Sequence, residues 1–175
     1  GPETLEVKSG LRIKSIEANG NLYFTTINGI KKISAKSASD FPSIAIQDAG
    51  GTKALDVTGT PNYTTSGFLE ANSKVAYRVV WGYKDNNDNL ILGSPSARAV
   101  VSNVSTTNSC FVDLEFAIPN EIQTTNYFYQ VYRTGITTGD LPPDVVVAQE
   151  AADPGDEMYL VFEDNVTLAE LAAGK

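Results

Sequence analysis

The chain contains no histidine. That absence removes Ser-His-Asp and Cys-His nucleophile pairs, His-containing zinc sites and the usual proton shuttle near neutral pH. A single cysteine, Cys110, excludes an internal disulfide and any CxxC unit, so the core must hold by burial alone. Basic residues are too few for a surface that tracks phosphates: the net charge is −8, and no nucleic-acid partner is expected. No apolar run approaches the roughly 20 residues that span a bilayer, and no basic-then-apolar leader precedes the first strand, so a soluble segment without a membrane partner is expected. The start, Gly1-Pro2 with no methionine, reads as a cleaved-tag scar and predicts a piece of a longer protein.

What is present is ordinary globular composition, 42% hydrophobic and 19% charged over 175 residues, enough for one sizeable core or two small ones. In Lys74–Tyr83 the residues Val75, Tyr77, Val79, Trp81 and Tyr83 recur with period two and fall on one face of a strand. Asp85–Asn89 (DNNDN) supplies turn chemistry, and the chain returns through Leu90–Leu92. Ser109–Ile118 separates Cys110, Val112, Leu114, Phe116 and Ile118 from Asp113 and Glu115. Tyr127–Thr134, Asp144–Ala148 and Glu157–Glu163 add three more strands. Earlier, three short runs, Leu11–Ile16, Leu22–Thr26 and Ile30–Ile33, are separated by Asn19-Gly20 and Asn28-Gly29. Asn-Gly suits a type I′ turn, whose two central residues need positive φ, so a β-meander is predicted. The expected organisation is a meander over 1–33, a connector over 34–67 with weak strands at Ser43–Gln47 and Ala54–Val57, and a β-sandwich over 68–175 of the immunoglobulin or fibronectin type III sort. Thr167 and Glu170 have capping-box spacing, which predicts a short helical turn over Thr167–Ala173.

Few constellations point to chemistry. Asp85–Asn89 matches the first half of a calcium loop, but Leu90 stands where the loop needs Gly and Ser96 where it needs the closing Glu; a polar hairpin outweighs a metal site. The pairs Asp156/Glu157 and Glu163/Asp164 have the makings of an acid/base couple, yet each reads more simply as a solvated strand edge. Cys110 lies on an apolar face with nothing basic beside it, so an inert buried thiol is expected. Trp81 with Tyr77 and Tyr83 has the makings of a sugar-stacking platform, but a side chain as large as Trp81 is expected in the core. Arg78 and Arg133 read as mid-strand residues on polar faces, paired across strands. Gly93–Ser96 (GSPS) lacks the glycine spacing and Lys of a phosphate loop and reads as a strand break. No catalytic, cofactor-binding or metal-ligating residue and no cofactor is therefore expected. One asymmetry stands out: Asp140–Lys175 holds nine acidic residues and one Lys, whereas Gly1–Lys36 holds three Glu against five Lys and one Arg. Ends of opposite sign suit head-to-tail neighbours, and solvation of each end explains the counts equally well.

Ala76–Tyr83 (AYRVVWGY), Gly93–Ser96 and Arg98–Val101 resemble strands of bacterial and phage fibronectin type III-like modules, as do Tyr129–Arg133 (YQVYR) and the F-x-D of Phe162–Asp164. The wider order, LYFTT-x-NGI-x-K, a loose linker, SKVAYRVVWGYKD-x-N-x-NLILGSPS, YFYQVYRT and GDEMYLV, resembles virion proteins of tailed bacteriophages over Leu11–Glu163. In those proteins the LYFTT-x-NGI segment is similar to a blade hairpin of a propeller-like tail or nozzle component. The resemblance implies a non-enzymatic structural role in the tail region of the virion, with other virion proteins or copies of the chain in a ring as partners. A carbohydrate-binding or host-adhesion module, with a host-surface glycan as ligand, is the first alternative. An accessory sandwich of a secreted polysaccharide-degrading enzyme is the second.

Overall fold

A computed structural model of the chain describes residues 10, 12–34, 46–120, 122, 126–151, 159–164 and 166. Every regular element among them is a β-strand: β1 Ser15–Ala18, β2 Asn21–Thr26, β3 Gly29–Ser34, β4 Ile46–Asp48, β5 Val57–Asn62, β6 Lys74–Lys84, β7 Leu90–Leu92, β8 Ala99–Ser102, β9 Phe111–Ala117, β10 Tyr127–Thr134, β11 Asp144–Ala151 and β12 Tyr159–Asp164. The paired strands are antiparallel, so the chain is all-β, as its patterning predicts. The helical turn expected over Thr167–Ala173 lies outside the described residues.

The chain divides into two compact units, one of Gly1–Gly51 with Tyr83–Leu92, the other of Thr52–Gly82 with Gly93–Lys175. The organisation differs from the sequence expectation in two respects. The end of β6, the following turn and all of β7 (Tyr83–Leu92) belong with the meander, and the stretch read as a connector contributes β4 to the meander sheet and β5 to a sheet of the second unit. β5 escapes a periodicity search because it contains Gly59 and Pro61; it is an edge strand, where a missing N–H is tolerated.

The first unit carries a four-stranded sheet in the order β1-β2-β3-β4. Its first turn is as predicted, with φ of 51° at Asn19 and 73° at Gly20. The second is shifted by one residue. Thr26 pairs with Gly29, so Ile27 and Asn28 occupy the turn, and it is Gly29 that takes a positive φ, 104°. Thr26 Oγ1 fixes this arrangement by accepting from Asn28 N at 3.1 Å and donating to the Gly29 carbonyl at 2.9 Å.

In the second unit, a three-stranded sheet (β12-β9-β5) and a sheet in which β11, β10 and β6 follow in order, with β8 also on β6, contribute to one apolar core. Val75, Tyr77, Val79 and Trp81 from β6 meet Val112, Leu114 and Phe116 from β9, with Tyr129 and Val131 from β10. Trp81 is 1% exposed and makes edge contacts with Phe116 and Tyr129, each at 5.9 Å between ring centroids. Burying side chains of this size stabilises by about 1.5–3 kcal/mol each. Gly93–Ser96 runs alongside β6: Gly93 N donates to the Trp81 carbonyl at 2.8 Å and Ser96 N to the Val79 carbonyl at 3.0 Å.

Candidate functional site

The richest polar cluster in the first unit is built on Asp85, a residue whose sequence context suggests no more than a turn. The turn is present: Asp88 N donates to the Asp85 carbonyl at 3.0 Å, and Asp88 has a φ of 60°. The Asp85 side chain, however, is buried. Its Oδ1 accepts from Asn87 N at 2.9 Å and Asn89 N at 3.0 Å. Its Oδ2 accepts from Asn21 Nδ2 at 2.8 Å and Lys32 Nζ at 3.3 Å. Asn89 Nδ2 reaches both oxygens, each at 3.2 Å. Burial opposes ionisation of this carboxyl, but the donors from Asn21, Asn89 and the turn backbone outweigh it and hold the group well below the usual carboxylate range. A cation at this loop would have to displace those N–H donors.

β2 and β3 supply the other half of the cluster. Lys32 faces Tyr23 across the ladder and Asn21 faces Ser34, so Lys32, Asn21 and Ser34 share one face of the sheet, and all three are buried. The Lys32 Nζ lies 5.2 Å from the centroid of the Tyr83 ring. Asn87 Nδ2 donates to Asn21 Oδ1 at 3.2 Å and to the Gly20 carbonyl at 3.0 Å, and Asn89 Nδ2 donates to the Asn19 carbonyl at 2.9 Å. Ser34 Oγ has no hydrogen-bond partner among the described residues.

The second unit has its own buried ion pair. Arg133 Nη1 lies 2.7 Å from Asp164 Oδ2 and donates to the Val166 carbonyl at 2.8 Å, while the Tyr77 hydroxyl donates to the same Asp164 oxygen at 2.7 Å. Arg133 Nε and Nη2 find no hydrogen-bond partner among the described residues; the guanidinium lies over the Phe68 ring, 4.0 Å from its centroid. Two sequence expectations are corrected here. Arg133 is on the core face, not a polar face, because period two places it with Tyr129 and Val131. Asp164 is buried rather than on a solvated edge, while Glu163 is exposed as expected.

The remaining candidates do not assemble. Asp156 and Glu157 lie outside the described residues. Cys110 is free and buried, and burial raises its thiol pKa, which suppresses the thiolate. Trp81 and Tyr77 are buried, so they offer no stacking platform. Arg78 donates to the Ser96 carbonyl at 2.6 Å, which ties β6 to the GSPS segment. Among the described residues no group of three or more His, Cys, Asp or Glu is placed to hold a metal ion. No helix of the described residues is long and apolar enough to cross a membrane. Comparison of the chain with protein-family models, with curated proteins and with solved structures finds no match.

Proposed function

We propose that this chain is a structural component of a tailed-bacteriophage virion, tail or nozzle associated, that acts through protein–protein contacts. The observation that carries the reading is a contrast in the use of side chains. The buried charges and large aromatics described above are consumed in internal contacts, whereas the first unit leaves Ile13, Ile16, Ile27 and Ile30 exposed. By register, Ile16 and Ile30 lie with Tyr23 and Thr25 on the sheet face that also carries Asn21, Lys32 and Ser34, at the end away from Asn21 and Ser34, and an exposed apolar patch of this kind suits contact with another protein.

The segments that resemble phage modules also fit together physically. YFYQVYRT forms β10 beside β6, which carries AYRVVWGY, and the arginine of Y-x-V-Y-R pairs with the aspartate of F-x-D. The strand order β11-β10-β6 follows the G-F-C order of immunoglobulin-type sandwiches, which supports a module of that kind. The three-stranded sheet departs from that pattern, since the last strand, β12, lies beside β9. The LYFTT-x-NGI segment forms β2 and β3 of a four-stranded meander, the strand number of a propeller blade. Heterologous contacts repeated about an axis close into rings, which is how copies of the chain would surround a tail.

The test is immunogold electron microscopy of purified virions with antibody raised against this chain. Label on the tail is the expected result. Label confined to the capsid, or particles that carry none of the chain, would overturn the proposal.

A further inference from the structure

The Asp85 cluster contains the parts of a condensation reaction. Lys32 Nζ and Asn21 Nδ2 both donate to one oxygen, Asp85 Oδ2, at 3.3 and 2.8 Å, and both side chains are fully buried. The carbonyl oxygen of the same Asn21 amide is held by Asn87 Nδ2 at 3.2 Å. A lysine ammonium has three N–H groups to satisfy, and among the described residues the one acceptor that Lys32 reaches is Asp85, supplemented by the face of Tyr83. A charged amine is thus poorly solvated at this position, beside a polarised amide and a carboxylate that touches both.

We propose that Lys32 and Asn21 join in an intramolecular isopeptide bond, Nζ of the lysine replacing the side-chain nitrogen of the asparagine with loss of ammonia. Asp85 Oδ2 first takes a proton from Lys32 Nζ, leaving a neutral amine. The Nζ lone pair attacks Asn21 Cγ, and the carbonyl electrons move onto Oδ1, where the Asn87 Nδ2–H stabilises the negative charge. Asp85 returns its proton to Nδ2 and collects the second proton from Nζ. The Cγ–Nδ2 bond then breaks, ammonia leaves, and the carbonyl re-forms as the isopeptide. Ammonia finally carries off the proton on Asp85 as ammonium, so the carboxylate ends as it began and no oxidant or co-reactant is consumed. The donors around Asp85 favour its ionised form, so the opening proton transfer onto Asp85 is uphill and the bond forms slowly after folding. The product ties β2 to β3 beneath the tip that carries Asp85.

Denaturing mass spectrometry of the full chain decides the matter, before and after prolonged incubation at mildly alkaline pH. The expected result is a species lighter than the sequence mass by one ammonia. Trypsin should then release a branched peptide in which Ser15–Lys31 carries Lys32–Lys36 through the Asn21 and Lys32 side chains. Lys32→Arg should abolish the branched species, and Asp85→Asn should slow its formation by roughly a hundredfold. The wild-type digest keeps the test decisive even if a variant fails to fold. An unchanged mass after incubation overturns the proposal. So does loss of ammonia with Lys32 still released normally by trypsin, which places the loss at a succinimide of Asn19 or Asn28, each followed by Gly.

Discussion

Arg133 on β10 and Asp164 on β12 form an ion pair of 2.7 Å between the two sheets of the second unit, with both side chains shielded from solvent. Removing one partner from such a pair leaves a buried charge uncompensated and costs about 3–5 kcal/mol, whereas replacing both with apolar residues is often neutral. Asp164→Leu alone should therefore destabilise strongly, and Arg133→Met combined with Asp164→Leu should recover most of the loss. Urea denaturation of the two single variants and the double variant measures the coupling. Simple additivity of the single effects would contradict this account.

This pair also shows how far the sequence could be read. β6 and β9 were legible because their apolar residues alternate, and β10 because it is aromatic and β-branched. Burial of one face follows from the alternation in β9, whereas in β6 Ala76 and Val80 on the opposite face are buried as well. The same period places Arg133 with Val131 and Asp164 with Phe162. Charge suggested the opposite assignment, and the missing information was that each residue had the other as its partner. Asp85 was less accessible still. Its role depends on Asn21, 64 positions away, and nothing in DNNDN distinguishes a turn that solvates its own carboxylate from one that binds a lysine on another strand. The shift of the second hairpin turn is local by contrast, set by the Thr26 hydroxyl rather than by the Asn-Gly pair.

The single tryptophan offers a clean optical probe of the core. Trp81 packs against Phe116 and Tyr129, and its Nε1 has no hydrogen-bond partner among the described residues. Its emission should be blue-shifted and nearly insensitive to iodide until the chain unfolds. Efficient quenching of the native protein would show an exposed ring and restore the sugar-stacking reading.

Gly67 has no room for a side chain. A Cβ there would lie 2.2 Å from the carbonyl carbon and oxygen of Cys110, backbone atoms fixed by the reciprocal Leu69–Cys110 hydrogen bonds. Gly67→Ala should cost about 1–3 kcal/mol or more through overpacking. Gly139→Ala is the control in the same unit, because its nearest contact would be an ordinary 3.8 Å from Thr137 Oγ1. Thermal melts that place the two variants together would refute the steric account.

Two of the eight tyrosines should resist ionisation. Burial, then the charge of Asp164, raises the Tyr77 phenol far above its ordinary value, and burial with a hydrogen bond to Glu150 raises Tyr129. Because the folded state favours the protonated phenols, their contribution to stability is intact below the unfolded value of about 10 and declines as pH rises beyond it. Ultraviolet titration should show these two phenols ionising together with loss of structure. Smooth titration of all eight in a still-folded protein would contradict the burial.

Acid should act on the first unit through Asp85. Its carboxyl is depressed in the folded state, so the stability it confers is fully present above the unfolded value of about 3.9 and is lost as pH falls below it. Asp85→Asn removes that titration and also the charge facing Lys32. At neutral pH the variant should be the less stable protein, and the gap should narrow as acid protonates the wild-type carboxylate. Denaturant melts across this range, followed by hydrogen exchange of the β2 and β3 amides, measure the gap for this unit alone. A gap that stays constant from neutral pH to well below the carboxylate range would mean that Asp85 stabilises the turn by shape rather than by charge.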